Sequence, residues 1–257
     1  MKQFIVLLSA LFFAFAAPGF AQSKMNLTLY GGYSLPVADL KGNFPDTLGT
    51  SFLDFERSGS LLTSSGFNIG ATGKYCVDTL GKARLTAGFN YNSFSGTKDY
   101  PRSGATLTYK NKVNIFTISV GAEYGFLPKK KVNPFVGLDL AVNFFSGKIE
   151  GSGDSTFTVQ RKSESRFGIV VNGGADIKLN KSIGAVVGVK YGLTNLIGKK
   201  TEITTTSPLQ TDDEETGSSS FRELGLNDEE SANNKSKAIY YIQFYAGLSF
   251  YFGEMLK

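Results

Sequence analysis

Residues 114–145, with the sequence NIFTISVGAEYGFLPKKKVNPFVGLDLAVNFF, decide the fold because two alternating segments flank a short basic turn. One face of the first segment is apolar: Phe116, Ile118, Val120, Ala122, Tyr124 and Phe126. Small or polar residues such as Thr117, Ser119 and Glu123 lie between them. The second segment repeats the pattern over 132–144, with Phe135 and Phe145 as inward-pointing exceptions. A period of two over this length predicts a β-hairpin with strands longer than those of ordinary soluble proteins.

The composition suits strands and turns, with 30 Gly, 22 Phe and 12 Tyr and neither Trp nor His. Cys76 is the only cysteine, so no intramolecular disulfide can form. The pI is near 9.1, yet the basic residues are not gathered on one element. We therefore expect no nucleic-acid partner.

The N-terminal segment has the pattern of an export signal. Lys2 precedes the apolar run 4–17, and Gly19 and Ala21 supply small residues at positions −3 and −1 of a cleavage site. We expect a cleaved signal peptide at 1–21, export by the Sec route and a mature chain of 22–257. A retained N-terminal anchor helix is the alternative. No later stretch reaches the roughly 18 uninterrupted apolar residues of a membrane helix.

Eight segments share the alternation of the hairpin: 26–35, 67–77, 83–93, the two hairpin arms, 167–179, 183–193 and 238–252. Their connections alternate between long (36–64, 96–110, 148–163 and 196–237) and short (78–81, 127–131 and 180–181). Outer-membrane barrels have this pattern, with short periplasmic turns and long outer loops. The sequence therefore predicts an all-β, transmembrane, antiparallel up-and-down β-barrel of eight strands. It also predicts a long extracellular loop at 196–237 and both termini in the periplasm.

The direction of the apolar face separates two kinds of barrel, because a soluble lipocalin-like carrier also alternates but turns its apolar face inward. In this chain the apolar face carries no charge. The other face carries nine glycines and seven charges: Lys74, Arg84, Glu123, Asp139, Asp176, Lys178 and Lys190. Such a face fits a narrow lumen, so we expect the apolar face to meet lipid. Aromatic residues then mark the two interfaces: Tyr75, Tyr124, Phe126 and Phe252 at the short turns, and Tyr91, Phe144, Phe167 and Tyr240 at the long loops.

The charges on the polar face predict a network inside the lumen, formed by Lys74, Arg84, Glu123, Asp139, Asp176 and Lys190. Arg84 and Glu123 lie on adjacent strands near the short turns, so we expect them to form an ion pair. Charges in a confined lumen need partners. An acid/base or ion-conducting site is the functional alternative to this structural role.

The last strand, Tyr245-Ala246-Gly247-Leu248-Ser249-Phe250-Tyr251-Phe252, resembles the C-terminal β-signal read by barrel-assembly machinery, with Tyr245, Gly247, Phe250 and Phe252 as the signal residues. Residues 253–257 follow it, whereas the signal usually ends the chain. The start of the mature chain, Tyr30-Gly31-Gly32-Tyr33-Ser34-Leu35-Pro36 followed by Asp39-Leu40, resembles the outer-membrane β-barrel domain family common in Bacteroidetes-like bacteria. This family is often labelled porin family and includes small barrels of the OmpX and OmpA type. The resemblance implies outer-membrane lipid and the assembly machinery as partners.

Enzymatic functions are disfavoured because the chain lacks histidine, which excludes Ser-His and Cys-His relays. The usual ligand of zinc and haem sites is also missing, so no cofactor is expected. The acidic runs 212–215 and 228–230 are either solvated or bind a divalent cation, although no EF-hand spacing is present.

The expected function is a non-enzymatic barrel that displays surface loops for adhesion, envelope integrity or contact with a ligand that the sequence does not specify. A small-solute channel is the alternative.

Overall fold

The computed structural model describes residues 25–42, 60–102, 105–153, 156–198, 221, 222, 224, 226 and 236–252. Nine strands lie in these ranges: β1 (Met25–Ala38), β2 (Ser65–Cys76), β3 (Ala83–Arg102), β4 (Ala105–Gly125), β5 (Val132–Ser152), β6 (Thr156–Lys178), β7 (Ile183–Ile197), β8 (Phe221–Arg222) and β9 (Ile239–Phe252). The expected signal peptide at 1–21, the acidic runs and most of the loop 196–237 lie outside the described residues. Within the described ranges, no helix is long and apolar enough to cross a membrane.

Eight of these strands form a closed antiparallel ring. Consecutive strands from β1 to β7 pair with each other, β7 pairs with β9, and β9 pairs with β1. The two-residue β8 stands outside the ring and pairs in parallel with β6 at Gln160 and Arg161. The predicted eight-stranded up-and-down barrel is therefore confirmed.

The register of the ring fixes the width of the barrel. When the paired residues are followed from Met25 across every strand of the ring, the path returns to β1 at Leu35. The register therefore shifts by ten residues around the barrel. Eight strands with this stagger tilt by about 40° and enclose an interior that side chains can fill.

The apolar face of the strands points outward, as predicted. Val120 on β4 and Leu140 on β5 expose 47% and 65% of their surfaces, whereas Glu123 and Asp139 on the opposite face expose 4% each. The inward-pointing exceptions Phe135 and Phe145 are buried. The orientation required by the soluble lipocalin-like alternative is therefore wrong for this chain.

Inner-face glycines make room for tyrosine rings on the neighbouring strand. Tyr30 lies opposite Gly70, and a Cβ at Gly70 would stand 2.6 Å from the Tyr30 hydroxyl. Tyr245 lies opposite Gly188, where a Cβ would stand 2.5 Å from its hydroxyl. The glycine-rich inner face is thus a packing requirement of a narrow lumen.

The predicted loops 96–110 and 148–163 are wrong, because most of these residues continue the strands. β3 to β6 are 20–23 residues long, about twice the 9–11 residues that span a membrane. Their outer ends, 96–102, 105–112, 147–152 and 156–161, pair with one another in a four-stranded sheet. We call this sheet the outer ribbon.

The two faces exchange polarity where the outer ribbon begins. On β4, Phe116 points outward and is exposed, but its neighbour Ile115 points inward and is buried. The pair Phe144-Phe145 on β5 lies directly opposite, with Phe144 exposed on the outside and Phe145 buried inside. We call these two pairs of neighbouring apolar residues the doublets. Beyond the doublets the inward face is mainly apolar, with Lys98, Asn111 and Arg161 as exceptions, and the outward face is polar, as in water-soluble sheets. The doublets therefore mark the boundary of the hydrocarbon layer.

A substitution at Val120 tests whether the outward face of the barrel contacts lipid. Val120→Arg should lower the free energy of unfolding by about 2–4 kcal/mol, because the new charge would face hydrocarbon near mid-membrane. Urea unfolding from lipid vesicles measures this change. Ser152→Arg is the control, since it places the same charge at an exposed position of the outer ribbon whose cross-strand partners, Thr108 and Thr156, are uncharged, and it should change stability by no more than about 0.5 kcal/mol. Equal losses in both variants would show that Val120 does not contact lipid.

Candidate functional site

Four charged side chains cross the lumen near the short turns. Lys74 Nζ lies 3.1 Å from a carboxylate oxygen of Glu123 and 3.1 Å from one of Asp176. Arg84 contacts the same two carboxylates at 2.5 and 2.6 Å. Each cation therefore contacts both anions, and no side chain of the four is more than 7% exposed. We call this arrangement the ion ring, and it includes the Arg84–Glu123 pair that the sequence suggests.

Phe135 covers one side of the ion ring. The Lys74 ammonium lies 4.1 Å from the centre of the Phe135 ring, and the Arg84 guanidinium lies 5.7 Å from it. A cation over an aromatic face is stabilised by the electrons of the ring. This contact explains why an apolar residue breaks the alternation of β5 and points inward.

Asp139 lies farther along the lumen and is held by neutral donors. Its carboxylate accepts a hydrogen bond from the Thr86 hydroxyl at 2.6 Å and another from the Asn172 amide at 3.2 Å. These donors replace the water that the buried carboxylate lost on folding.

Lys190 is enclosed by aromatic rings. Its ammonium donates a hydrogen bond to the Tyr30 hydroxyl at 2.7 Å and lies 4.3 and 5.4 Å from the ring centres of Tyr30 and Tyr245. A cavity of about 20 Å³ lies between this group, Asp139 and the ion ring. That volume is room for about one water molecule, so the space is far too small for a solute.

Amide side chains fill the next level of the lumen. Gln243 accepts a hydrogen bond from Asn90 at 2.9 Å and donates one to Asn68 at 2.9 Å. Asn68 donates to the Ser34 hydroxyl at 3.0 Å, and Ser34 donates to Asn92 at 2.7 Å. The chain of bonds links the inner faces of β3, β2, β1 and β9, four consecutive strands of the ring, including the non-adjacent pair β3 and β9.

An apolar cluster closes the mouth at the outer ribbon. Its members expose no more than 1% of their surfaces: Leu40, Leu61, Phe94, Val113, Ile115, Phe145, Leu224, Leu226, Ile239 and Tyr241. Four of these residues come from the connections between strands rather than from the barrel wall. We call this cluster the mouth cap, since it separates the polar lumen from the outside.

Backbone hydrogen bonds hold the connecting segments in the mouth cap. Leu61 N donates to Asp39 O at 2.6 Å, and Asp39 N donates to Ala238 O at 3.0 Å. The Asp39 carboxylate in turn accepts from Ala238 N at 2.7 Å. Asn195 donates to Leu226 O at 3.1 Å. The connections on both sides of the β1–β9 seam are thereby fastened over the lumen.

The first connection carries strained backbone at both ends. Ala38 and Leu62 have positive φ angles of 53° and 51°. A non-glycine residue in this region costs roughly 1–2 kcal/mol. Such conformations persist where the surrounding structure determines them, and here both residues stand beside the cap leucines Leu40 and Leu61.

The outward face of the outer ribbon is basic. Lys112 lies directly opposite Lys148, and Lys110 lies opposite Glu150. Lys148 donates a hydrogen bond to Glu150 at 2.5 Å. This bond, with the nearby Lys110 and Lys112, holds the pKa of Glu150 below its ordinary value. One carboxylate among three ammonium groups leaves these positions positive, and Asp99 on the same face accepts a hydrogen bond from the Thr108 hydroxyl at 2.6 Å.

The inward face of the outer ribbon is aromatic. The ring centre of Tyr109 lies 5.9 Å from that of Tyr100 and 5.8 Å from that of Phe157, both in edge-to-face arrangements. Tyr100 and Tyr109 are buried together with Leu62. The ribbon is therefore a two-sided sheet with its own packed core.

All six residues of the predicted lumen network point into the barrel, and the structure brings four of them into the ion ring. Lys178 lies at the end of the lumen and donates a hydrogen bond to Pro128 O at 2.5 Å. In the predicted assembly signal, Tyr245 points inward, while Phe252 is exposed on the outside. The sequence interpretation missed the mouth cap and the outer ribbon, although the doublets Ile115-Phe116 and Phe144-Phe145 mark where both begin.

The model of one protein family, described as outer membrane protein beta-barrel domain, matches residues 6–216. Among solved structures, neisserial surface protein A shares 14% identity, covering 89% of this chain and 97% of that chain, with a TM-score of 0.47. The Yersinia pestis attachment invasion locus protein Ail, in complex with the heparin analogue sucrose octasulfate, shares 8% identity, with coverages of 89% and 99% and a TM-score of 0.39. OprG from Pseudomonas aeruginosa shares 12% identity, with coverages of 92% and 99% and a TM-score of 0.39. The search of curated proteins found no match.

A substitution at Glu123 tests how much the ion ring contributes to the stability of the barrel. Glu123→Gln should lower the free energy of unfolding by about 3–5 kcal/mol, because it leaves two buried cations with one remaining carboxylate. Urea unfolding from lipid vesicles measures the loss. Glu150→Gln removes the same charge from a partly exposed ion pair on the outer ribbon and should have a much smaller effect, since water screens that pair. Similar losses for the two variants would contradict the role assigned to the ion ring.

Proposed function

Since this chain belongs to the outer membrane protein β-barrel domain family, we propose that it is a non-conducting, non-enzymatic barrel that holds the outer ribbon at the cell surface. There the ribbon serves adhesion, envelope integrity or ligand contact. The observation that carries this proposal is a lumen filled at every level by the ion ring, the amide chain and the mouth cap. Membership of the family places the chain in the outer membrane and gives it lipid as its immediate surroundings.

The filled lumen favours surface display over the alternative of a small-solute channel. A permeating ion would have to break the ion ring, whose four members are paired with one another. It would then meet the mouth cap, where apolar side chains offer no replacement for its hydration shell. Each obstacle alone is a high barrier, and the two lie in series.

The outer ribbon supplies the surface that such a scaffold would present. Its four strands continue directly from the barrel wall, so their positions are fixed by backbone pairing. Binding residues are commonly carried by segments that a rigid scaffold positions. The exposed Lys110 and the partly exposed Lys112 and Lys148 make the outward face suited to an anionic partner.

A non-enzymatic role agrees with the chemistry of the chain, which has no histidine and one cysteine. In the lumen, the charged groups are engaged with one another or with neutral side chains. Carboxylates held in this way maintain structure rather than transfer protons to a substrate.

Export and assembly complete the proposal. Residues 1–21 would direct the chain to the Sec route and be removed. Barrel-assembly machinery would then read Tyr245, Gly247, Phe250 and Phe252 on β9. This order leaves both termini in the periplasm, with the short turns beside them and the outer ribbon outside.

Conductance of purified protein in planar bilayers tests the closed lumen. We expect no stable openings, with an open porin as the positive control. Ile115→Ala/Phe145→Ala thins the mouth cap and should also remain closed, because the ion ring still blocks the other end. Openings of consistent size in the unmodified protein would favour the channel alternative.

Cysteine labelling of intact cells tests the orientation. In a Cys76→Ser background, Thr158→Cys on the outer ribbon should react with a membrane-impermeant maleimide. Ser182→Cys, in the exposed turn between β6 and β7, should react only after the outer membrane is permeabilised. The reverse pattern would invert the barrel and remove the basis for surface display.

A further inference from the structure

The three short turns, 77–82, 126–131 and 179–182, form one continuous surface. A Cβ added to Gly81 in the first turn would stand 3.5 Å from Pro128 in the second. Lys178, at the start of the third turn, donates hydrogen bonds to Pro128 O at 2.5 Å and to Lys131 O at 2.8 Å. Gly125 N donates to Lys82 O at 2.8 Å. These contacts fix the turns beside each other, and we call their common surface the turn rim.

The turn rim is strongly basic. It holds five lysines and one acidic residue, Asp78, which gives a net charge of +4. Asp78 is engaged locally, because its carboxylate accepts a hydrogen bond from Ala83 N at 3.0 Å. Four of the lysines are exposed: Lys129, Lys130, Lys131 and Lys181.

Each turn also exposes a leucine. Leu80, Leu127 and Leu179 expose 54%, 48% and 58% of their surfaces. Exposed leucines beside lysines are typical of segments that lie at a membrane interface, where the apolar side chain enters the acyl layer and the cation stays among the headgroups. A soluble acidic partner would match the lysines but would leave the three leucines without a role.

We propose that the turn rim is a binding surface for anionic phospholipid headgroups. The lysines neutralise headgroup phosphates, while the leucines anchor the turns in the acyl chains below. In the orientation proposed above, on which this assignment of the leaflet rests, the bound lipids belong to the periplasmic leaflet. Basic residues near an anionic membrane surface each contribute to binding, so three adjacent lysines produce a clear preference.

Native mass spectrometry of the barrel released from mixed bilayers tests the proposal. The bilayers contain equal amounts of phosphatidylglycerol and phosphatidylcholine with identical acyl chains. The unmodified barrel should retain phosphatidylglycerol preferentially. Lys129→Gln/Lys130→Gln/Lys131→Gln should reduce that preference by about tenfold or more, and 0.5 M salt should weaken it in the unmodified protein.

Two control variants isolate the turn rim. Lys129→Arg/Lys130→Arg/Lys131→Arg keeps the charge and should keep the preference. Lys110→Gln/Lys112→Gln/Lys148→Gln removes the same charge from the outer ribbon and should also keep it. Far-ultraviolet circular dichroism and heat-dependent gel migration check that each variant is folded.

Two competitors distinguish a lipid surface from other sources of negative charge. Soluble glycerol phosphate should fail to displace the bound lipid, because it lacks the acyl chains that the leucines contact. Displacement by glycerol phosphate, or preferential displacement by a soluble peptidoglycan fragment, would overturn the assignment to lipid. Absence of selective retention, or an equal loss in both glutamine variants, would also overturn it. None of these results depends on whether the lumen conducts, which the bilayer recordings measure separately.

Discussion

Closure of the backbone hydrogen bonds between β1 and β9 is the constraint on which the rest of the structure depends. Hydrocarbon offers no partner for an unpaired amide, so a membrane-spanning sheet must have no free edge. Fourteen residue pairs, from Met25 and Phe252 to Ala38 and Ile239, form this seam. With eight strands and a shift of ten residues, closure also fixes a narrow interior. The interior residues fit this narrow space, because glycines lie opposite tyrosines and each cation of the ion ring lies between two carboxylates.

The interior is stabilised differently at different heights, and the surroundings of the barrel explain why. Where lipid surrounds the wall, moving an apolar side chain inward gains little, because acyl chains are already apolar. Hydrogen bonds and ion pairs therefore hold non-adjacent strands together inside the lumen there, as in the ion ring and the chain around Gln243. Where water surrounds the wall, burial of apolar surface becomes favourable. The mouth cap and the aromatic face of the outer ribbon lie at that level.

The parts of the structure that could be predicted are those encoded within a strand or between neighbouring strands. Alternation around Val120 and Leu140 predicts the strands and the lipid-facing side, and adjacent strands suggest the Arg84–Glu123 pair. The contact between Arg84 and Asp176 joins β3 to β6 across the lumen, and no spacing in the sequence specifies it. Residues 96–110 and 148–163 resemble loops because their outward positions are polar and glycines interrupt them, yet they pair in the ribbon. Leu224 and Leu226 lie near acidic and serine-rich sequence that gives no indication of burial.

The change of polarity at Ile115-Phe116 and Phe144-Phe145 occurs within continuous strands, and this continuity has a mechanical consequence. The ladder between β4 and β5 is unbroken from Thr108 and Ser152 to Gly125 and Phe135. A partner that pulls on the ribbon away from the cell therefore loads these hydrogen bonds in shear, along the strands, where many must fail together. No flexible linker lies between these two strands of the ribbon and the barrel wall to absorb the force. Tension applied outside would be delivered to the whole barrel and resisted by its anchorage in the bilayer.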